Sequence, residues 1–256
     1  MKTDELKTEN SKLKTAALIT VPAFANAGSG VRHFFGTRRQ QGGADPAGAK
    51  VVVSVKQVHG ADSLVLDRPV AQEEVFAGEW DALVTNQPEV LLTVRTADCV
   101  PVLVHDPVRR VVAAIHAGWR GTVEGIVPRT LSMMTQRFSS DPRWMRVGIG
   151  PSVGPCCYEV DEPVLERLRE GFTDWRTVVR GTGPGKAVLD LRSLVRRQAE
   201  ATGVLPQEVR TVNVCTVCHP DLFYSYRRDG TARDTMVSGI MLTRRASSRK
   251  PSGHAG

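Results

Sequence analysis

The stretch VLLTVRTADCVPVLVHDPVRRVVAAIHAGWRG (residues 90–121) is the most informative part of the chain about its fold class. It contains three apolar runs rich in β-branched residues, at 90–95, 101–105 and 111–115, and each run predicts a strand. After the glycines that end the stretch, apolar residues of 122–138 recur with a period near 3.6. This period predicts a helix directly after the third strand.

Other parts of the chain add two helices and four strands. Asp161 is the predicted N-cap of a helix that runs through about Arg169. Asp190 is the predicted N-cap of a further helix over 191–201, and a glycine follows that helix. Further strands are predicted at 51–56, 63–66, 145–149 and 211–215.

The order of these elements indicates the fold class. Strands and helices are mixed without strict β–α–β alternation, which favours a layered, mixed α/β or α+β fold over a doubly wound parallel sheet. A chain of 256 residues can bury a full core as one domain. We assign the single domain to 16–243, between a flexible leader at 1–15 and a disordered basic tail at 244–256.

Three residues at the ends of apolar runs are candidate metal ligands: His59, Cys99 and His116. Strand ends are where a sheet presents side chains to a cleft. Two imidazoles and one thiolate suit zinc, and three protein ligands leave a fourth position open, as in catalytic sites. The alternative is that each residue is structural, because cysteines are often buried and a histidine often only binds a backbone carbonyl. Their spacing matches no short zinc motif.

Composition indicates an ordinary soluble globular protein, with 41% hydrophobic and 24% charged residues. The chain has no apolar run long enough for a transmembrane helix. Its N-terminus carries charges of both signs and lacks the apolar region of a signal peptide. Five cysteines, an odd number, argue for free thiols in a reducing compartment. We therefore expect a cytoplasmic location and no membrane partner.

The net charge of +7 raises the question of nucleic-acid binding. Part of the excess lies in the predicted tail, and part in Arg192, Arg196 and Arg197, whose helical spacing predicts a solvated face. Aromatic residues are only 5% of the chain, and no basic stripe contains interleaved aromatics. Nucleic acid is therefore not an expected partner, whereas a basic surface favours small anions such as phosphate.

The motif Cys215–His219 (CTVCH) matches the C-x-x-C-H pattern of c-type haem attachment. That chemistry belongs to exported proteins, so we interpret the match as coincidence. A structural zinc site would need further ligands, for which only Cys156 and Cys157 offer themselves. The favoured interpretation is a buried strand end.

Polar residues near the three candidate ligands have two interpretations each. Asp98 could orient a ligand histidine or transfer a proton, or could be a satisfied turn carboxylate. Arg120, just before a predicted helix, could hold phosphate or could lie on the surface. Tyr226, Arg227 and Arg228 offer stacking and charge for a purine or phosphate, but a solvated turn would have the same sequence.

Six short motifs stand in the order seen in one known family. They are Gln57–Gly60 (QVHG), Ala97–Cys99 (ADC), His116–Gly121 (HAGWRG), Gly148–Pro151 (GIGP), Cys157–Val160 (CYEV) and Phe223–Gly230 (FYSYRRDG). Over about 31–243 the chain therefore resembles the laccase-domain (YfiH-type) purine nucleoside phosphorylases, formerly described as multicopper polyphenol oxidases. The resemblance implies a layered α/β/β/α-type sandwich.

The resemblance also implies that His59, Cys99 and His116 bind one zinc ion per chain. It implies phosphorolysis of adenosine, inosine and S-methyl-5'-thioadenosine, with adenosine deamination as a side activity. Purine nucleosides and phosphate are then the expected partners. The predicted catalytic residues are His59, Cys99, His116 and Asp98, and the predicted substrate-binding residues are Gln57, Arg120, Arg38 and Arg227.

The chain departs from the family pattern in three places. Residues 40–50 form a short Gly/Ala/Pro stretch where the family carries a longer segment. Thr231–Arg233 reads TAR where the family has TGR, and Ser152 replaces a frequent cysteine. The three candidate ligands are retained.

Other functions use some of the same residues. In a metal-free cysteine hydrolase, Cys99 would be the nucleophile and His116 or His59 the base. This chemistry would fit the peptidoglycan-precursor editing to which the family has been tied. Copper-dependent phenol oxidation needs many histidines for several copper ions, and the chain has six, so copper is less favoured than zinc. A non-catalytic binding module is a further alternative, and the oligomeric state is left open.

Overall fold

The computed structural model describes residues 17–24, 30–40, 48–231 and 233–244. The predicted leader and nearly all of the predicted tail lie outside these residues. The strands are β1 (Leu18–Ile19), β2 (Val31–Gly36), β3 (Val51–Val53), β4 (Ser63–Leu66), β5 (Ala82–Thr85), β6 (Val90–Thr96), β7 (Val100–Asp106), β8 (Val111–Ala117), β9 (Arg146–Ile149), β10 (Glu159–Asp161), β11 (Val179–Gly183), β12 (Lys186–Leu189), β13 (Val209–Thr211) and β14 (Met236–Leu242). The α-helices are α1 (Trp119–Val123), α2 (Ile126–Phe138), α3 (Glu162–Gly171), α4 (Leu191–Ala201) and α5 (Tyr226–Asp229).

The strands form three sheets. The largest has the order β13-β9-β7-β8-β5-β4, the second β1-β2-β14-β6-β3, and the smallest β10-β12-β11. Most neighbours are antiparallel, while the pairs β4–β5, β3–β6 and β9–β13 are parallel. This mixture confirms the predicted α+β class, because a doubly wound fold would be mostly parallel.

Strand β8 shows how the layers are stacked. All of its residues are buried, and successive side chains point to opposite faces of the sheet. Ala113 and Ile115 belong to the apolar cluster that includes α2 and α4. Val112 and Ala114 belong to the cluster shared with the five-stranded sheet. Because β8 lies between a helical layer and a second sheet, both of its faces are buried and its sequence is a continuous apolar run. Each large aliphatic side chain buried there contributes roughly 1.5–3 kcal/mol to the stability of the fold.

The predicted helix over 122–138 is wrong as a single element. The chain forms α1 and then α2, which are separated at Glu124 and Gly125. Gly125 has a φ of 85°, a left-handed conformation that glycine adopts without steric cost. The break lets α1 start directly after His116–Gly118, while α2 packs along the six-stranded sheet.

The predicted strand over 211–215 is also displaced, since β13 ends at Thr211. The carbonyl oxygens of Val212 and Val214 accept hydrogen bonds from Nη1 of Arg192, at 3.3 and 3.2 Å. Arg192 is therefore buried rather than on a solvated face, which corrects the sequence prediction. Its guanidinium supplies donors where the chain leaves the sheet.

Among the described residues, no helix has both the length and the apolar character that crossing a membrane requires.

Candidate metal centre and catalytic cleft

The structure brings His59, Cys99 and His116 together. One potential ligand atom from each lies within 4.8 Å of the others. The group borders a cavity of about 970 Å³. His116 is buried, Cys99 is half-buried and His59 is exposed, so the group has a protein side and an open side. Three donors arranged in this way leave room for a further ligand.

Strand pairing explains why residues distant in sequence meet here. Val100 of β7 pairs with Ala117 of β8, and Pro101 pairs with His116. Cys99, directly before Val100, therefore lies beside the end of β8. His59 reaches the same end from the loop after β3.

Asp81 connects the loop of His59 to His116, and sequence reasoning missed it. Its carboxylate lies 2.6 Å from Nδ1 of His116 and accepts hydrogen bonds from the N–H groups of Val58, His59 and Gly60, at 3.1, 3.0 and 2.7 Å. With Nδ1 bound to Asp81, Nε2 of His116 is the nitrogen left for a metal. Such a carboxylate orients a ligand imidazole and raises its basicity.

Contacts within this group shift the pKa values of Cys99, His116 and Asp81. Burial alone would raise the pKa of Cys99, but contacts with His116 and His59 lower it to about 6. Burial alone would lower the pKa of His116, but Asp81 and Cys99 raise it to about 9. The metal-free protein therefore holds a thiolate beside an imidazolium at neutral pH. A cation bound at Nε2 would replace the proton of His116.

Two glycines of the HAGWRG motif allow the close approach of the ligands. A Cβ atom on Gly118 would lie 2.9 Å from Cδ2 of His59 and 3.2 Å from Sγ of Cys99. A Cβ atom on Gly121 would lie 2.2 Å from the carbonyl oxygen of Gly60. The motif therefore needs glycine at both positions, because the loop that contains His59 and Gly60 packs directly on the backbone of Gly118 and Gly121.

The substitution Gly118→Ala tests this packing. Its methyl group displaces His59 and Cys99, so we expect metal affinity to fall about 10- to 100-fold, the range seen when ligand orientation is disturbed. Metal content after dialysis against a weak chelator measures the effect. The control is Gly181→Ala, whose Cβ atom would meet nothing within 4 Å. Equal metal retention by both variants would contradict the packing argument.

Asp98 lies in the cavity wall but does not orient a ligand histidine. Its carboxylate accepts hydrogen bonds from the hydroxyls of Thr216 and Ser225, at 2.5 and 3.0 Å, and from the N–H of Arg227, at 2.6 Å. Its φ of 89° is rarely adopted by a residue with a side chain, and these three bonds stabilise the conformation. The carboxylate is satisfied, and it holds the start of α5 against the cavity.

Two predicted substrate-binding arginines line the cavity, each beside an aromatic ring. The guanidinium of Arg120 lies 4.6 Å from the ring centroid of Trp119. That of Arg227 lies 5.2 Å from the ring centroid of Tyr158 and donates to the carbonyl of Glu159 at 2.9 Å. Burial raises the pKa of Tyr158, so its phenol stays protonated. The wall thus combines positive charge with flat apolar faces.

The other two predicted substrate-binding residues are engaged by the protein itself. Gln57 lines the cavity, but its amide pairs with the N–H and the carbonyl of Arg95, both at 2.8 Å. Arg38 is not among the residues that line the cavity. It donates to the carbonyl of Pro220 at 2.7 Å and lies 4.9 Å from the ring centroid of Tyr224. In this structure Arg38 therefore packs against Pro220 and Tyr224 and does not line the cavity.

The remaining histidines of the described chain do not join the group. His33 accepts a hydrogen bond from the N–H of Val21 at 2.8 Å, and its ring packs edge-on against Phe24. His105 is buried against the same phenylalanine. Within the described residues, metal-binding groups that include histidine are limited to the trio of His59, Cys99 and His116. The two histidines of this group, His59 and His116, are too few to ligate several copper ions.

Comparison with known proteins identifies the family. The model of the family described as multi-copper polyphenol oxidoreductase laccase matches residues 37–243, and the chain belongs to this family. A crystal structure of the hypothetical protein YfiH from Bacillus licheniformis has the same fold, with a TM-score of 0.79 and 26% identity over 90% of this chain and 98% of that chain.

Relatives within the family carry names of nucleoside enzymes. A purine nucleoside phosphorylase from Bacteroides thetaiotaomicron is 42% identical over 163 residues, which are 63% of this chain. The match spans 60% of the length of that relative. An adenosine deaminase from an unknown prokaryotic organism is 32% identical over 195 residues, 74% of each chain.

Proposed function

We propose that the protein is a zinc-dependent purine nucleoside phosphorylase that acts on adenosine, inosine and S-methyl-5'-thioadenosine, with adenosine deamination as a side activity. The observation that carries the proposal is the convergence of His59, Cys99 and His116 at a cavity that also holds arginine and aromatic side chains. The names of the relatives support the same class of reaction.

The donor set fits zinc. Two imidazoles and a thiolate are ligands that zinc prefers, and three protein ligands are typical of its catalytic sites. His59, Cys99 and His116 would hold the ion, while Asp81 would hold His116 in the tautomer that ligates through Nε2. A zinc ion with an open position lowers the pKa of a water ligand and polarises a bound oxygen, which is the chemistry needed for attack at C6 of adenosine.

The cavity wall supplies groups for phosphorolysis. In this reaction a phosphate oxygen forms a bond to C1′ of the ribose, the C–N bond to the base breaks, and the purine leaves with a proton. Arg120 and Arg227 would bind the phosphate dianion, because guanidinium groups pair with phosphate through two parallel hydrogen bonds. The rings of Trp119 and Tyr158 offer faces on which a purine can stack. Asp98 would act by positioning Arg227.

Product analysis tests the proposed function directly. The purified protein is incubated with adenosine, with and without inorganic phosphate. We expect adenine and ribose 1-phosphate only when phosphate is present, and a slower formation of inosine in both cases. Failure to form either adenine or hypoxanthine with phosphate in zinc-replete protein would contradict phosphorolysis, while inosine alone would leave only the deaminase.

One observation favours a second candidate, the metal-free cysteine hydrolase. The pKa values of about 6 for Cys99 and about 9 for His116 describe a thiolate–imidazolium pair, which is the reactive state of a nucleophilic cysteine. The two candidates differ in their response to chelation. Removal of metal abolishes activity in the zinc enzyme, whereas an amide hydrolase that uses free Cys99 keeps its activity after chelation and is inhibited by iodoacetamide.

The substitution Arg120→Lys tests the phosphate role. Lysine keeps the charge but loses the planar pair of donors, so we expect the KM for phosphate to rise about 10-fold. Deamination of adenosine, which uses no phosphate, should change much less in the same protein. The control is Arg197→Lys on the exposed face of α4. An equal fall in both activities, with zinc retained, would show that Arg120 binds the nucleoside or supports the site.

A further inference from the structure

Four of the five cysteines gather at one place, and none of the four lines the cavity. Cys156 and Cys157 lie in the loop after β9, and Cys215 and Cys218 lie in the turn after β13. The four sulfur atoms lie within 4.8 Å of one another. The sequence favours a buried strand end for the CTVCH motif and offers Cys156 and Cys157 as the further ligands that a zinc site would need. The structure brings these two cysteines to the motif.

Sheet topology brings the two pairs together. Strands β9 and β13 are parallel neighbours, so the loops that follow them leave the sheet at the same edge. Beyond the strands, the N–H of Thr216 donates to the carbonyl of Ser152 at 3.0 Å, and the N–H of Ser152 donates to that of Val214 at 3.4 Å. These bonds hold the two loops side by side as far as Ser152 and Cys215.

The distances fit four ligands of one tetrahedral ion. A zinc–sulfur bond of about 2.3 Å places the sulfur atoms of a tetrahedral site about 3.8 Å apart. Sγ of Cys218 lies 3.4 Å from that of Cys157 and 3.6 Å from that of Cys156. One sulfur atom at nearly equal distances from two others is the arrangement of a shared ion rather than of one disulfide. An iron–sulfur cluster would hold its four cysteines further apart, because they ligate different iron atoms.

The surroundings of Cys215 are those of a metal-bound thiolate. The N–H of Gly154 points at its sulfur, with a nitrogen–sulfur distance of 3.3 Å. A Cβ atom on Gly154 would lie 3.3 Å from Sγ of Cys156 and 2.9 Å from Nη2 of Arg192, so the loop approaches the cluster closely. The guanidinium of Arg192 lies against the same glycine, so its positive charge is on the side of the loop that faces the cysteines. Their sulfur atoms carry negative charge when they bind a metal.

We propose that Cys156, Cys157, Cys215 and Cys218 form a second, structural zinc site, separate from the candidate metal centre. Four thiolates close the coordination shell and leave no position for water or substrate, which is the pattern of structural sites. All five cysteines are then metal ligands, four in this site and Cys99 in the other.

The four-cysteine site supports the wall of the cavity. Thr216, next to Cys215, donates its hydroxyl hydrogen to Asp98, and Asp98 holds the N–H of Arg227. Tyr158, next to Cys157, lines the cavity beneath Arg227. An ion that joins the two loops therefore fixes both members of the Tyr158–Arg227 pair. Loss of this ion would loosen the cavity wall without removing the ligands of the candidate metal centre.

The proposal is tested by counting and characterising zinc in the 256-residue chain, purified under reducing conditions. We expect two zinc ions per chain in the wild-type protein and one in Cys99→Ser. X-ray absorption at the zinc edge of Cys99→Ser should then show four sulfur ligands at about 2.3 Å, because only the four-cysteine site remains. This variant leaves all four cysteines in place, so the measurement does not depend on whether their removal is tolerated.

A second variant tests the four-cysteine site by removing two of its proposed ligands. The double substitution Cys156→Ser/Cys218→Ser replaces two exposed cysteines and should also hold one zinc ion, now with mixed nitrogen and sulfur ligands. Nitrogen ligands to the zinc of Cys99→Ser, absence of zinc from that variant, or unchanged zinc in the double variant would each overturn the proposal. A disulfide among the four cysteines would overturn it as well, and thiol titration of unfolded protein that was purified anaerobically without reductant would reveal it.

Discussion

Replacement of Cys99 by serine is expected to remove the metal from the candidate centre and to reduce turnover to background. A serine hydroxyl is a poor substitute for a thiolate, since it stays protonated at neutral pH and is a harder donor. The thiolate is also favoured by the protein, because His116 and His59 lower the pKa of Cys99 to about 6. Phosphorolysis and deamination of adenosine are measured side by side, together with zinc per chain.

The outcome separates the proposed function from its alternatives. A loss of one zinc ion per chain together with both activities supports the zinc enzyme. Loss of activity in a protein that never held metal at this site would favour the cysteine hydrolase. Full activity of Cys99→Ser would contradict both. The comparison variant is Cys156→Ser/Cys218→Ser, which should also lose one zinc ion but keeps all three residues of the candidate centre. Both activities should therefore persist in it, at a reduced level.

The second large effect is expected from Asp81→Asn. An amide has nearly the shape of a carboxylate but cannot accept from four donors, so it disturbs both the Nδ1 contact of His116 and the loop of His59. We expect metal affinity to fall about 10- to 100-fold, as for other partners of ligand histidines. Competition with a chelator of known affinity measures this loss, and Asp62→Asn, in which the amide replaces a nearby carboxylate, serves as control.

The contribution of Asp81 to the stability of the fold depends on pH, and the same variant reveals it. Burial opposes ionisation of Asp81, but His116 and the N–H groups of Gly60 and Val58 outweigh it and keep the pKa of Asp81 below its ordinary value. A lowered pKa in the folded state stabilises the fold above the unfolded value of about 3.9, and the contribution is lost as the pH falls below it. The difference in Tm between wild-type protein and Asp81→Asn should therefore shrink below about pH 4. A constant difference would assign the effect to packing alone.

Local sequence patterns were sufficient for much of the fold. The apolar runs of β6, β7 and β8 are long, rich in valine and leucine, and buried on both faces, so they are recognisable without knowledge of their partners. Short strands such as β10–β12 were not predicted, because they have only three to five residues each and are partly exposed. The helix over 122–138 was predicted as one element, because its apolar period continues through the break at Gly125.

The candidate ligands His59, Cys99 and His116 could be selected from the sequence because each follows an apolar run and because the donor types together suit one metal. Their spatial convergence, the Asp81–His116 contact, the packing role of Arg38 and the meeting of Cys156 with Cys218 could not. Each of these depends on which strands are neighbours and in which register they pair. When one face of a helix or strand is buried, apolar residues recur periodically in the sequence, whereas a contact between distant segments leaves no periodic pattern. The tertiary structure alone therefore selects the partners of these side chains.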